Sequence, residues 1–129
     1  MAGWHPDNVF AITLVAEDLE ATRDFYRAVF GLPVIFEDDA SAVFAFGPVM
    51  VNLLAARAAP ELVAPAPVGG PEDGVRFQLT IQVDDVDAAA AEAVSRGAVL
   101  LNGPMDRPWG IRTAAFRDPA GHVWELAHH

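Results

Sequence analysis

The chain contains no cysteine, and its eight basic residues are all arginine, so it has no lysine either. Without cysteine there is no disulfide, thiolate metal site or cysteine nucleophile; without lysine there is no Schiff-base chemistry. Positive charge is scarce: 18 acids against eight bases give a net charge of -10. Such a surface repels nucleic acid phosphates and anionic lipid headgroups and favours cationic small molecules. Neither nucleic acid nor membrane is therefore an expected partner. Long hydrophobic runs are missing too. The longest, Ala42 to Ala56, is interrupted by Gly47-Pro48 and Asn52 and is too short to span a bilayer. Residues 1–7 lack the basic and apolar regions of an export signal, so a cytoplasmic location is expected.

What is present is a globular composition, 53% hydrophobic and 20% charged over 129 residues, enough for one domain spanning 1–129. Val9 to Val15 reads as a strand. Asp18 follows as a helix N-cap, and Leu19, Phe25, Tyr26, Val29 and Phe30 recur at helical spacing up to the Gly31 stop. Strand-like runs come next at Val34–Glu37, Ala42–Phe46 and Val49–Leu54. Residues 55–75 form an Ala/Pro/Gly-rich connector, long enough to join two halves or cover a site. The pattern then repeats: a strand at Val75–Val83, N-cap Asp85, a helix over Val86–Arg96 stopped by Gly97, and strands at Ala98–Leu101, Ile111–Arg117 and His122–Ala127. Glu17-Asp18-Leu19-Glu20-Ala21 falls on Asp84-Asp85-Val86-Asp87-Ala88. The expected fold class is α+β: two tandem βαβββ modules, about 8–54 and 76–127, forming a curved half-open barrel with a central cleft.

Two stretches carry a family resemblance. Glu17 to Tyr26 with Gly31-Leu32-Pro33-Val34, and Arg107 to Thr113 with Phe116 to Leu126, resemble the vicinal oxygen chelate superfamily, which includes glyoxalase I, extradiol dioxygenases and the bleomycin- and mitomycin-resistance proteins. The resemblance covers nearly the whole chain. It implies a cleft in which enzymes of the group hold a divalent metal at four symmetric positions, here Ala11, Asn52, Gln78 and Glu125. Ala11 cannot ligate, and the amides of Asn52 and Gln78 are poor ligands for zinc, nickel or iron. Only Glu125 is a conventional ligand, so neither a metal site nor another cofactor is expected.

Glu125, inward in an apolar cleft, would suit proton abstraction. The plainer expectation is a vestigial acid hydrogen-bonded to Gln78 or Asn52 across the cleft. His122 should lie on the strand face opposite Glu125. Ser41 and Ser95 have no histidine partner in sequence reach and sit in no nucleophile elbow. Aromatic residues offer more. Trp109, in a Pro-Trp-Gly turn, corresponds to a position by the ligand groove of the resistance proteins; Phe36, Phe44 and Phe46 come from first-module strands. Phe44 and Phe46 share a strand face and should be in the core or in the cleft together. Trp124 is expected against a helix, Trp4 at a subunit boundary, and Glu37-Asp38-Asp39 as an attraction for a cationic ligand or simply a solvated turn.

These readings lead to a metal-independent small-molecule binding protein of the bleomycin-resistance type, a homodimer sequestering a planar aromatic natural product, neutral or cationic. The binding set is Trp109, Phe36, Phe44, Phe46, Asn52, Gln78 and Glu125. The alternative is a glyoxalase-like lyase or isomerase, or a dioxygenase relative, using Glu125.

Overall fold

The computed structural model describes residues 5–129; Trp4, the expected subunit-boundary residue, lies outside them. Strand β1 (Ala11–Ala16) leads into helix α1 (Leu19–Phe30), followed by β2 (Phe36–Glu37), β3 (Ser41–Phe46) and β4 (Val49–Ala55). The connector contains the short helix α2 (Ala59–Val63), with 3-10 turns at Ala56–Ala58 and Pro71–Asp73. The second module is β5 (Gln78–Gln82), α3 (Val86–Ser95), β6 (Leu100–Asp106), β7 (Arg112–Arg117) and β8 (Val123–His128). Each module is thus βαβββ.

The two long helices begin alike because the same residue type stands at the same place. Asp18 Oδ1 accepts from the Ala21 amide at 3.0 Å, and Asp85 Oδ1 from the Ala88 amide at 3.0 Å, each satisfying a first-turn donor. Helix α1 ends where Gly31 turns left-handed (φ 67°) and its N–H returns to the Arg27 carbonyl.

Two four-stranded sheets result, in order β1-β4-β3-β2 and β5-β8-β7-β6, and they do not close into a barrel. In both, the first strand runs parallel to the last, leaving β1 and β5 as edge strands. Strand β2 is shorter than the run Val34–Glu37 suggested. β6 is longer than Ala98–Leu101, continuing through Gly103-Pro104 by two shifts of register against β7.

One core serves both modules. Helix α1 presents Phe25, Tyr26 and Phe30. Tyr26 packs on Phe44 of the first sheet (centroids 5.6 Å) and Trp124 of the second (5.9 Å), and Phe30 reaches Phe46 (5.1 Å) and Phe116 (5.9 Å). Helix α3 buries Val86, Ala90 and Ala93, small side chains that let it lie close to its sheet. Leu14, Val51 and Leu53 face this core. By strand alternation Thr13, Asn52, Thr80 and Glu125 therefore point to the opposite faces of the sheets.

Candidate functional site

Those opposite faces carry two matching rows. Across the first sheet, Phe36 pairs with Val43, Val43 with Asn52, and Asn52 with Thr13. Across the second, Asn102 pairs with Ala115, Ala115 with Glu125, and Glu125 with Thr80. Paired residues share a face, so each row is a line of neighbouring side chains. Thr13 and Thr80 are equivalent, each five residues before its N-cap aspartate, and Asn52 is the counterpart of Glu125.

Within each row the threonine meets the polar residue beside it. Thr80 Oγ1 donates to Glu125 Oε1 at 3.0 Å; Asn52 Nδ2 donates to Thr13 Oγ1 over a longer 3.4 Å. Asn52 Oδ1 is enclosed and has no hydrogen-bond partner among the described residues. An atom enclosed like this is out of a ligand's reach as the side chain stands, and leaving it unpaired costs stability. The expectation that Glu125 bonds to Gln78 or Asn52 across a cleft is corrected. Its partner is Thr80, on the adjacent parallel strand, and among the described residues no hydrogen bond joins the two rows.

The four chelate positions offer poor ligating chemistry in this chain. Ala11 offers no donor, Gln78 is exposed at the start of β5, and Asn52 and Glu125 are tied to threonines. Among the described residues no three of His, Cys, Asp or Glu converge. Bringing the two rows together across two copies would still supply one carboxylate and two amides, a set that suits no transition metal.

The aromatic candidates divide. Phe44 is corrected: fully buried against Tyr26, it belongs to the core and cannot touch a ligand. Phe46, on the same strand face, is only half-buried. It stacks on Trp124 (4.9 Å, 23°) and lines an apolar groove of about 510 Å³ between Ile12 and Val51 on one side and Leu79 and Ile81 on the other. Phe36 stands 57% exposed at the outer end of the Asn52 row. Trp109 is 68% exposed at the tip of the β6–β7 turn. Trp124 faces α1, its ring 4.8 Å from Phe30.

Arg107 is the residue that sequence reasoning missed. It fixes the base of the Trp109 turn, donating through Nε to Thr113 Oγ1 (2.8 Å) and through an Nη to Asn102 Oδ1 (3.0 Å). The Asn102 contact puts a guanidinium at the end of the Glu125 row. The acidic turn, by contrast, holds itself together. Asp38 Oδ1 accepts from the Ala40 and Ser41 amides and the Ser41 hydroxyl, bonds that hold its carboxyl below the usual range, and Glu37 pairs with Arg23. His122 lies just before β8 rather than on a strand face, its Nε2 2.7 Å from the Val15 carbonyl.

The paired βαβββ sheets and this symmetric face define a known architecture. Residues 8–126 match the family model of the glyoxalase/bleomycin resistance protein/dioxygenase superfamily, and the chain belongs to that superfamily. No curated protein sequence matches it. Among solved structures it is similar to a glyoxalase-related enzyme from Fulvimarina pelagi (26% identity, TM-score 0.80, 94% of this chain and 87% of that one). It is similar as well to lactoylglutathione lyase from Agrobacterium tumefaciens (26%, 0.73, 93% and 92%) and to TioX from Micromonospora sp. ML1 (25%, 0.75, 94% and 98%). No helix among the described residues is long and apolar enough to cross a membrane.

Proposed function

We propose that the protein is a metal-independent binder of planar aromatic small molecules, of the bleomycin-resistance type, acting as a homodimer. The observation that carries this reading is the chemistry of the two rows. The chelate positions hold Ala11, Asn52, Gln78 and Glu125, while Phe36 ends the Asn52 row and Trp109 stands exposed on the β6–β7 turn. Such a face binds by stacking and burial, with Glu125 favouring a cationic group. The two rows lie on separate sheets with unpaired edges at β1 and β5. A second copy that brings one row opposite the other would enclose a ligand and cover those edges.

The experiment is calorimetric titration of the protein with bleomycin and with the planar cation doxorubicin, repeated on Trp109→Ala. Binding of either, weakened in the variant, supports the reading; no binding of either compound counts against it. The enzymatic alternative has one observation in its favour, the position of Glu125 on the ligand face with its proton-accepting Oε1 held by Thr80. It predicts isomerisation of a hemithioacetal substrate that is lost in Glu125→Gln, and such turnover would displace the binding reading.

A further inference from the structure

The connector does more than join the modules. Beyond α2 it borders, together with β1 and the turn before β8, an open pocket of about 190 Å³ with walls from three separate segments. Its fold there is fixed locally. The Gly70 N–H donates to Asp73 Oδ2 at 2.6 Å and the Asp73 N–H returns to the Gly70 carbonyl. The far wall is close as well: a β-carbon on Gly121, at φ +92°, would meet Pro71 Cβ at 3.4 Å.

Two opposite charges line this pocket without meeting. Glu17, at the end of β1, and Arg76, just before β5, both border it. Among the described residues neither forms an ion pair or a side-chain hydrogen bond, with each other or with any other group. His122 lines the same pocket. A carbonyl only accepts, so the short contact with Val15 O places a ring proton on Nε2; in the neutral imidazole Nδ1 is then an acceptor. The imidazole is steadied further by Phe77, tilted against it at 5.8 Å, which also gives the pocket an apolar side. The room equals about six water molecules' share of the liquid, enough for a carboxylate, an ammonium and a short side chain.

We propose that this pocket binds a free α-amino acid, its carboxylate on Arg76, its ammonium on Glu17 and His122 Nδ1, and its side chain against Phe77. One small zwitterion satisfies both charges at once, which neither an anion nor a cation alone does. The pocket meets the Asn52 row at Thr13, which lines it and accepts from Asn52 Nδ2, but it shares no residue with the Glu125 row or with Trp109, so failure of the titration below leaves the stacking test on Trp109 intact.

The test is NMR titration of the full chain with L-leucine, N-acetyl-L-leucine and L-leucinamide, following backbone amides of residues 69–77 and 118–122. L-leucine should give saturable shifts confined to those segments and to residues 13–17. Removing the ammonium or the carboxylate from the probe should weaken binding about tenfold. Arg76→Gln should abolish the preference for L-leucine over its amide, and Glu17→Gln the preference over the acetylated form; both side chains are exposed, and matched thermal melts would verify the fold. No saturable shift with L-leucine, or equal binding of all three probes, would overturn the proposal.

Discussion

The phenol of Tyr26 donates a 2.7 Å hydrogen bond to Asp118 Oδ2, 92 residues further along the chain, and accepts one of 2.9 Å from Trp124 Nε1. The pair ties the first helix to the turn before the last strand. Asp118 Oδ1 in turn accepts from the Ala120 and His122 amides, both at 2.9 Å, so the buried carboxylate is fully engaged. Tyr26→Phe would leave both Asp118 Oδ2 and the Trp124 indole N–H unpaired in the core. A loss of about 2–3 kcal/mol is expected, measurable by urea denaturation.

Tyr26 also sets an alkaline limit. Burial, then the negative charge of Asp118 and its hydrogen bond, push the phenol far above its ordinary value. The folded protein therefore keeps a proton that the unfolded chain loses above about pH 10, and stability falls as pH rises beyond that point. The slope from this group is about 1.4 kcal/mol per pH unit. Because the chain has a single tyrosine, the ultraviolet signal of tyrosinate reads this residue alone. It should appear only together with unfolding; ionisation in the folded state would contradict the geometry.

Asp118→Asn should be worse than its size suggests. The amide replaces one acceptor by a donor, facing either the Tyr26 hydroxyl or the two backbone N–H groups. Destabilisation of about 2–4 kcal/mol is expected from a denaturant melt, with the 118–122 turn losing amide-exchange protection first.

On the surface, Arg112 grips Asp87 with two hydrogen bonds of 2.8 and 2.9 Å and Asp106 with a third. The Arg112 hydrogen bonds hold the Asp87 carboxyl below its ordinary value. Its contribution is thus present above the unfolded value near pH 3.9 and lost as pH falls through the lower folded one. Carboxyl NMR titration of Arg112→Gln should show Asp87 returning to the ordinary range.

Trp109→Ala should weaken binding of a planar ligand about tenfold to a hundredfold, the equivalent of about 1–3 kcal/mol. An exposed turn residue leaves no cavity, so the melting curve should match wild type. Calorimetry and a thermal melt together decide it. Light scattering should meanwhile report about twice 13.8 kDa for the homodimer.

The repeat and both helix starts were legible because aspartate caps and apolar spacing are local signals. The extension of β6 beyond Leu101 was not: Gly103-Pro104 reads as a break. In the fold Gly103 adopts φ +79° beside the Thr113 carbonyl, and the strand passes through as an irregularity. The chelate positions could be carried over from the resemblance, but their actual partners could not. Thr13 and Thr80 become neighbours of Asn52 and Glu125 only through the parallel register of each sheet. Phe44 and Phe46 shared a face as alternation required. What separated them was depth, set by where α1 crosses the sheet, and nothing in the strand itself records that.

The shared aromatic core has a bearing on synthesis. Tyr26, Phe30 and Phe46 leave the ribosome long before Trp124 and Phe116, the residues that cover them from the second sheet. For several seconds of translation the first module carries an uncovered aromatic face, and the nascent half-chain is in that interval a substrate for chaperones and for premature association with its neighbours on a polysome.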